Sequence, residues 1–159
     1  MPYTTAIVCL NGHILTYDTN KNPDYSTINH CPKCGTELIC SCPSCNYPIH
    51  GREIKKGTAT YFKTPPDSFC YNCGVPYPWT EFTLENAEMI INELDCLSEQ
   101  DREKLNRSFK DLIAETPKTP YAILLAKKAL SACTGFLKES LVNLILSSAC
   151  ESVKKELGF

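Results

Sequence analysis

At 159 residues, the chain has room for one ordinary domain or two small ones, and its hydrophobic content of 43% is normal for a globular protein. The formal net charge is −2, and six basic residues stand against five acidic ones before residue 81, then ten against thirteen after it. Neither half is a polycation, so nonspecific phosphate binding has little support. The longest purely apolar run, residues 122–126, is far too short to cross a bilayer.

The chain contains eleven cysteines, an unusually large number for its length. Six of them form three C-x2-C pairs, Cys31/Cys34, Cys42/Cys45 and Cys70/Cys73. The first residues lack the basic segment and apolar stretch of a secretory signal, so we expect the cytosol, where thiols stay reduced and bind metal. Redox-active pairs would need a βαβ context, which this half of the sequence lacks.

The first half reads as short strands and turns. Runs at residues 4–10 and 58–62 are rich in β-forming residues, and most prolines and glycines of the chain lie nearby. This half has too little apolar sequence to fold without cross-links. Metal ions held by the cysteines would provide these cross-links.

Two zinc sites account for the spacing of the ligands. Zinc needs four ligands in a tetrahedron, and each C-x2-C turn supplies two, so the three pairs leave one half-site missing. The run CLNGH offers that half as a C-x3-H pair. Gly12, Gly35 and Gly74 stand where the turns need a positive φ or a close backbone approach. The predicted sites are Cys9, His13, Cys31 and Cys34, then Cys42, Cys45, Cys70 and Cys73.

Some alternatives remain open at this point. A cross-braced pairing, as in RING-type modules, would join the first ligand pair to the third and the second to the fourth. Cys40 lies close enough to Cys42 to replace it, although we expect a spare thiol there. His30 and His50 adjoin ligand pairs, but surface histidine is the commoner state, and we leave both out.

The second half has helical periodicity from residue 80. The first predicted helix ends near residue 96, and the second starts at Ser98 with Asp101 and runs to Thr116. Thr119 is expected to cap a third helix with Pro120 at its first position, and a fourth runs from Gly135 almost to the end. Cys96, Cys133 and Cys150 fall on or near apolar stripes, which predicts packed core thiols.

The sequence contains no recognisable catalytic constellation. The deaminase, H-E-x-x-H, phosphate-loop and G-x-S-x-G motifs are all missing, and eight matched ligands would leave neither zinc an open position. Aromatic and basic side chains around the second site suggest nucleic-acid stacking, although the rings suit a wedge between the two halves better. They are Arg52, Lys55, Lys56, Lys63, Tyr71, Tyr77 and Trp79.

With these motifs in view, the whole chain resembles a bacterial family of short uncharacterised proteins. The resemblance runs from CLNGH through CPKCG, CPSCNYPIHG, FCYNCG and PYPWTE to LSEQDREKL, TPKTP and the last helix. It implies an N-terminal zinc-ribbon pair, a helical C-terminal region, the bacterial cytosol and metal binding at the cysteines. It brings no established activity.

We therefore predict an α+β protein with a double zinc-ribbon domain at 1–79 and a bundle of about four helices at 80–159. The expected function is that of a noncatalytic adaptor with two structural zinc ions. Surplus apolar residues in the last two helices would bind a protein partner or a second copy, with no membrane involved; they are Ile123, Leu124, Leu125, Leu141, Leu144, Ile145 and Leu146. The alternative is a nucleic-acid-binding zinc ribbon.

Overall fold

The computed structural model describes residues 3–21, 27–54 and 66–159, and the chain divides into two compact units, Met1–Glu81 and Phe82–Phe159. Short strands precede helices, which confirms the predicted α+β class. The predicted strand at 58–62 lies outside the described residues. Within the described ranges, no helix has both the length and the apolar character needed to cross a membrane.

In the described part of the first unit, five short strands form two small antiparallel sheets. β1 (Tyr3–Thr5) pairs with β5 (His50–Glu53), while β2 (Ile7–Cys9) lies between β3 (Ile14–Thr16) and β4 (Leu38–Ile39). The run predicted at 4–10 is therefore two strands in different sheets. The buried Ala6 lies where they part, and its N–H donates to the Ile49 carbonyl at 2.9 Å.

Among the residues of the first unit that the structure describes, the hydrophobic core is a small cluster. Its buried members are Ala6, Val8, Cys42, Ile49, Cys70, Tyr77 and Trp79. Two of these seven are cysteines of the predicted second site, so ordinary apolar side chains form only part of the core. A core of this size fits the expectation that the unit needs additional cross-links.

Helix α1 (Pro78–Asn92) begins two residues earlier than predicted. Pro78 suits the first position of a helix, because its missing N–H would have no partner there and its φ is already helical. The start of α1 is tied to the preceding segment by two side chains. The Trp79 indole N–H donates to the Asp67 carbonyl at 2.9 Å, and the Thr80 hydroxyl donates to the Ser68 carbonyl at 2.7 Å.

Four further helices follow, so the second unit has five helical segments where about four were predicted. They are α2 (Glu99–Ile113), α3 (Thr119–Ala132), α4 (Gly135–Ser148) and α5 (Glu151–Leu157). Helix α3 contacts α2, α4 and α5. The Ser98 hydroxyl accepts a hydrogen bond from the Asp101 N–H at 3.2 Å, which confirms the predicted start of α2.

The predicted fourth helix is interrupted, because Ala149 and Cys150 both have extended backbones. The interruption frees the Cys150 N–H from the helical pattern, and it donates instead to the Leu112 carbonyl near the end of α2 at 3.0 Å. This bond joins the α4–α5 junction to α2. Both Ala149 and Val153 remain buried, which explains why the apolar pattern looked continuous.

The role predicted for Thr119 was also wrong. Thr119 is the first residue of α3 rather than its cap, and its hydroxyl donates to the Asp111 carbonyl at 2.9 Å while accepting the Thr116 N–H at 2.9 Å. It therefore closes the C-terminal end of α2. Helix α2 stops at Ile113 and not at Thr116, and Pro120 is the second residue of α3 rather than the first, as was predicted.

A disulfide joins Cys96 and Cys133, which were predicted to be packed thiols. Cys96 lies exposed in the connection between α1 and α2, and the buried Cys133 is the C-cap of α3, with Cα atoms 5.4 Å apart. The Lys128 ammonium on α3 contacts the Asp101 carboxylate in the first turn of α2 at 2.8 Å. The third of these cysteines, Cys150, is half-buried rather than a core thiol.

Candidate metal centres

Three tight turns with one shared geometry present the C-x2-C pairs. In each, the N–H four residues after the first cysteine donates to that cysteine's carbonyl at 2.8–2.9 Å. The N–H of the first cysteine donates to the carbonyl of the residue five positions later, at 2.8 Å. We call these turns knuckles one (31–36), two (42–47) and three (70–75). Each one points two sulfur atoms to the same side.

Each knuckle has one residue with a left-handed backbone, and this residue is glycine in two knuckles and asparagine in the third. Gly35 and Gly74 both have φ of +72°, as predicted for these turns. Knuckle two has Asn46 there instead, with φ of +58°. Asparagine is the non-glycine residue that tolerates this conformation best, because its side chain can bond to the local backbone. The sequence therefore carried a signal at Asn46 that the search for glycines missed.

The C-x3-H pair is built on the hairpin between β2 and β3. The Cys9 N–H donates to the His13 carbonyl at 2.9 Å, and the His13 N–H approaches the Cys9 sulfur at 3.2 Å. Gly12 has φ of +82° and turns the chain back between them. The pair is thus held by the same kind of backbone contacts as the knuckles, although its spacing is one residue longer.

Site one brings together Cys9, His13, Cys31 and Cys34, whose ligand atoms all lie within 4.8 Å of one another. The His13 Nδ1 atom lies 3.5 Å from the Cys9 sulfur, 3.3 Å from that of Cys34 and 3.8 Å from that of Cys31. The sulfurs of Cys9 and Cys34 are 3.7 Å apart. A zinc tetrahedron with Zn–S bonds of 2.3 Å has edges of about 3.7 Å, so the four atoms can surround one ion.

Site two brings together Cys42, Cys45, Cys70 and Cys73, again within 4.8 Å. The sulfurs of Cys42 and Cys73 are 3.8 Å apart, and those of Cys45 and Cys70 are 3.6 Å apart. The two knuckles therefore face each other across a space of tetrahedral size. The Asn72 amide lies 3.7 Å from the Cys45 sulfur and is oriented to donate to it.

The grouping is sequential, with the first two ligand pairs in one site and the last two in the other. A cross-braced arrangement would have mixed them. Cys40, His30 and His50 belong to neither group. Cys40 is an exposed thiol, His30 pairs with Glu37 in a single β-bridge, and His50 packs among aromatic rings.

In site one, hydrogen bonds favour a thiolate at the exposed ligand. The pKa of the Cys34 thiol falls to about 5, chiefly because the Thr36 hydroxyl lies 3.1 Å from its sulfur and donates to it. Burial instead raises the pKa of Cys9. The Cys34 thiolate is thus ready to bind a cation at neutral pH, whereas the ion itself must displace the proton from Cys9.

In site two, the pKa values of Cys70 and Cys73 shift in opposite directions. Burial raises the pKa of Cys70, but the N–H groups of Cys73 and Asn72 donate to its sulfur and bring the pKa down to about 6. The pKa of Cys73 rises to about 12, because burial and the neighbouring sulfurs outweigh the hydrogen bond from the Val75 N–H. A divalent cation relieves this repulsion by compensating several thiolates at once.

The chain matches the family described as "Uncharacterized protein conserved in bacteria (DUF2321)" over residues 2–157. The chain belongs to this family. The resemblance noted from the cysteine motifs is thereby confirmed for nearly the whole chain. No curated protein and no solved structure matches it.

The aromatic residues proposed for nucleic-acid stacking divide into two groups. Tyr77 and Trp79 are only 2% and 9% exposed, and their rings stack on each other with centroids 4.6 Å apart. Buried rings cannot take up a base, so these two belong to the core of the first unit. Tyr71 remains, at 74% exposed. Of the basic residues named with them, Lys55, Lys56 and Lys63 lie outside the described residues.

Proposed function

We propose that this protein is a noncatalytic adaptor whose first unit is ordered by two structural zinc ions. The observation that carries the proposal is the meeting of eight side chains from four separate turns in two groups of tetrahedral size. Thiolate and imidazole ligands in such groups suit zinc, and iron is the main competitor at the all-cysteine site. We propose the bacterial cytosol as the location, since reducing conditions keep thiols of this kind available to a metal. There the Cys96–Cys133 disulfide would exchange with its reduced form.

A structural role is supported by the number of protein ligands. Catalytic zinc sites typically keep one position for water or substrate, whereas four protein ligands close the coordination sphere. The size of the core points the same way, because an apolar cluster that includes Cys42 and Cys70 is too small to fix the strands alone. Zinc binding would then contribute directly to the folding free energy of the first unit.

The partner surface proposed on the last helices is narrower than the sequence suggested. Five of the seven surplus apolar residues are buried, and only Leu124 and Leu146 are exposed, at 62% and 40%. The exposed Tyr121 lies one turn before Leu124 on α3, so these two form one apolar strip. We propose this strip for self-association or a protein partner.

The metal proposal is tested by native mass spectrometry together with elemental analysis. We expect two zinc ions in the wild-type protein, and one in each of the variants Cys9→Ser and Cys70→Ser, since each removes a ligand from a different site. Cys40→Ser is the matched control, because this exposed thiol belongs to neither group, and it should retain both ions. Fewer than two ions in the wild type, or iron in site two, would overturn the proposal as stated.

The adaptor role is tested separately by sedimentation over a range of concentrations. We expect reversible association that weakens in Leu124→Glu, with no binding to oligonucleotides. The nucleic-acid alternative predicts the reverse: salt-sensitive binding to a single-stranded oligonucleotide that is lost when Lys55 and Lys56 become glutamate. If the protein neither associates nor binds the oligonucleotide, both roles lose their support.

A further inference from the structure

Four aromatic rings form a cluster beside site two. The rings of Tyr3 and His50 are stacked, with centroids 4.3 Å apart and an interplanar angle of 8°. The Tyr71 ring also contacts His50, with centroids 4.7 Å apart and an interplanar angle of 43°. Tyr47 completes the group at 6.1 Å from His50 and 6.2 Å from Tyr71. We call these four residues the ring cluster.

The ring cluster is built on rigid elements. Tyr3 and His50 stand on the paired strands β1 and β5, and Tyr47 and Tyr71 belong to knuckles two and three. Tyr71 directly follows Cys70, a buried ligand of site two, so metal binding would fix its backbone. Such a ring meets a ligand with little loss of conformational entropy.

Tyr71 is the member that a ligand can reach. It is 74% exposed, whereas the other three are half-buried. A single exposed aromatic residue needs no explanation by itself. Here, however, the exposed ring is packed against other rings next to a charged site, and that charge determines what it can attract.

The charge around the ring cluster favours a cation. Four thiolates around a divalent ion leave two negative charges at site two, and three thiolates with a histidine leave one at site one. The loaded ions therefore turn the single positive surplus of residues 1–80 into a net charge of −2. Glu53 pairs with Tyr3 across the β1–β5 sheet, and the Asp67 carboxylate interacts electrostatically with His50. Arg52, also on β5, offsets one of these charges, and Lys55, Lys56 and Lys63 are already counted in the net charge of −2.

We infer that the ring cluster is a docking site for a basic side chain of a protein partner, an arginine in particular, which lies over the exposed ring of Tyr71. The guanidinium plane stacks on aromatic faces and is attracted by their negative quadrupole. The anionic metal site behind the rings adds to this attraction, and the same charge repels the phosphates of a nucleic acid. The inference rests on the proposed function, because the charge of site two depends on bound zinc.

The test uses the full-length, zinc-loaded protein and a fluorescent peptide of alternating glycine and arginine, measured by anisotropy at physiological ionic strength. A peptide with citrulline in place of arginine keeps the shape and removes the charge. We expect Tyr71→Ala to weaken arginine-peptide binding about fivefold, the scale of an exposed cation–π contact. Tyr71→Phe should bind like the wild type. Phe136→Ala removes an exposed aromatic ring from the other unit and is the control without effect.

The outcomes separate this inference from the proposed function. Equal binding of the arginine and citrulline peptides, or equal binding by wild type and Tyr71→Ala, would overturn the inference. Tighter binding of an oligothymidine than of the arginine peptide would also overturn it, in favour of a base-stacking role. Zinc is measured in the same samples. If the protein holds two zinc ions but does not prefer the arginine peptide, only the docking site is refuted. If it holds fewer than two zinc ions, the proposed function is refuted first.

Discussion

At the scale of single residues, Gly12 and Gly74 show how closely the ligand turns are fitted. Both have a positive φ, which costs other residues about 1–2 kcal/mol. Their surroundings differ: a Cβ at Gly74 would meet open space, whereas one at Gly12 would lie 3.1 Å from the Cβ of Trp79. The hairpin that carries Cys9 and His13 therefore packs directly on Trp79.

This difference predicts that Gly12→Ala destabilises the first unit more than Gly74→Ala does. Both variants bear the backbone cost, and only Gly12→Ala must also displace Trp79. We expect a larger fall of the thermal midpoint in Gly12→Ala, measured by tryptophan fluorescence on zinc-loaded protein. Gly74→Ala is the matched control, and equal midpoints in the two variants would show that the contact with Trp79 has no energetic weight.

At the scale of elements, helix α2 is held at both ends by side-chain hydroxyls. Ser98 accepts the Asp101 N–H at its start, and Thr119 donates to the Asp111 carbonyl near its end. The pKa of Asp101 is lowered, first by the hydrogen bond from Lys128 and then by the one from Ser98. The stabilisation from this carboxylate is thus present at neutral pH and is lost as the pH falls through its lowered pKa.

Removing the cap should be measurable. Ser98→Ala is expected to lower the free energy of unfolding of the helical unit by about 1 kcal/mol, since an orphan N–H loses its acceptor. Urea unfolding followed by far-UV circular dichroism measures the change. Ser131→Ala is the control, because its hydroxyl bonds only within α3, to the Lys127 carbonyl, and alanine is favourable in a helix. A loss in the control as large as in Ser98→Ala would contradict the capping role.

The helix starts were easier to predict from sequence than the interruptions. Ser98 and Pro120 are residues whose chemistry suits a helix start, and the structure uses them there or within one turn. Ala149 and Cys150 carry no breaking signal, since their extended backbone depends on the distant Leu112 carbonyl. The spacing of Cys9 and His13 was readable, because ligand pairs must complete a tetrahedron. The ring cluster was not, because its four rings come from three separate stretches of the chain, at residues 3, 47–50 and 71.

At the scale of the whole molecule, each of the two units has internal cross-links of its own kind. The first has two ligand groups, and the second has the disulfide between Cys96 and Cys133, separated by 37 residues. Helical periodicity placed these two cysteines on or near apolar stripes and could not show that they meet. The assumption of a reducing compartment also argued against a bond between them.

The disulfide predicts a redox-dependent stability that is confined to the second unit. The double variant Cys96→Ser, Cys133→Ser should lose about 4 kcal/mol of unfolding free energy relative to the oxidised protein, an upper value from the chain-entropy model. Cys150→Ser is the control, as this thiol forms no disulfide. Urea unfolding measures the change, and both proteins should keep their zinc. Equal unfolding curves for the oxidised protein and the double variant would show that the bond contributes no stability.

The sequential order of the ligand groups also matters while the chain is being made. Site one is complete at residue 34, before the first cysteine of site two appears at residue 42. On the ribosome, the first set of ligands is therefore free to capture its ion while the second is still inside the exit tunnel. A cross-braced pairing would have left the first site open until knuckle two emerged and the pair Cys31/Cys34 unmatched until knuckle three emerged. The observed order shortens the time that incomplete thiol pairs are exposed to the wrong metal or to an oxidant.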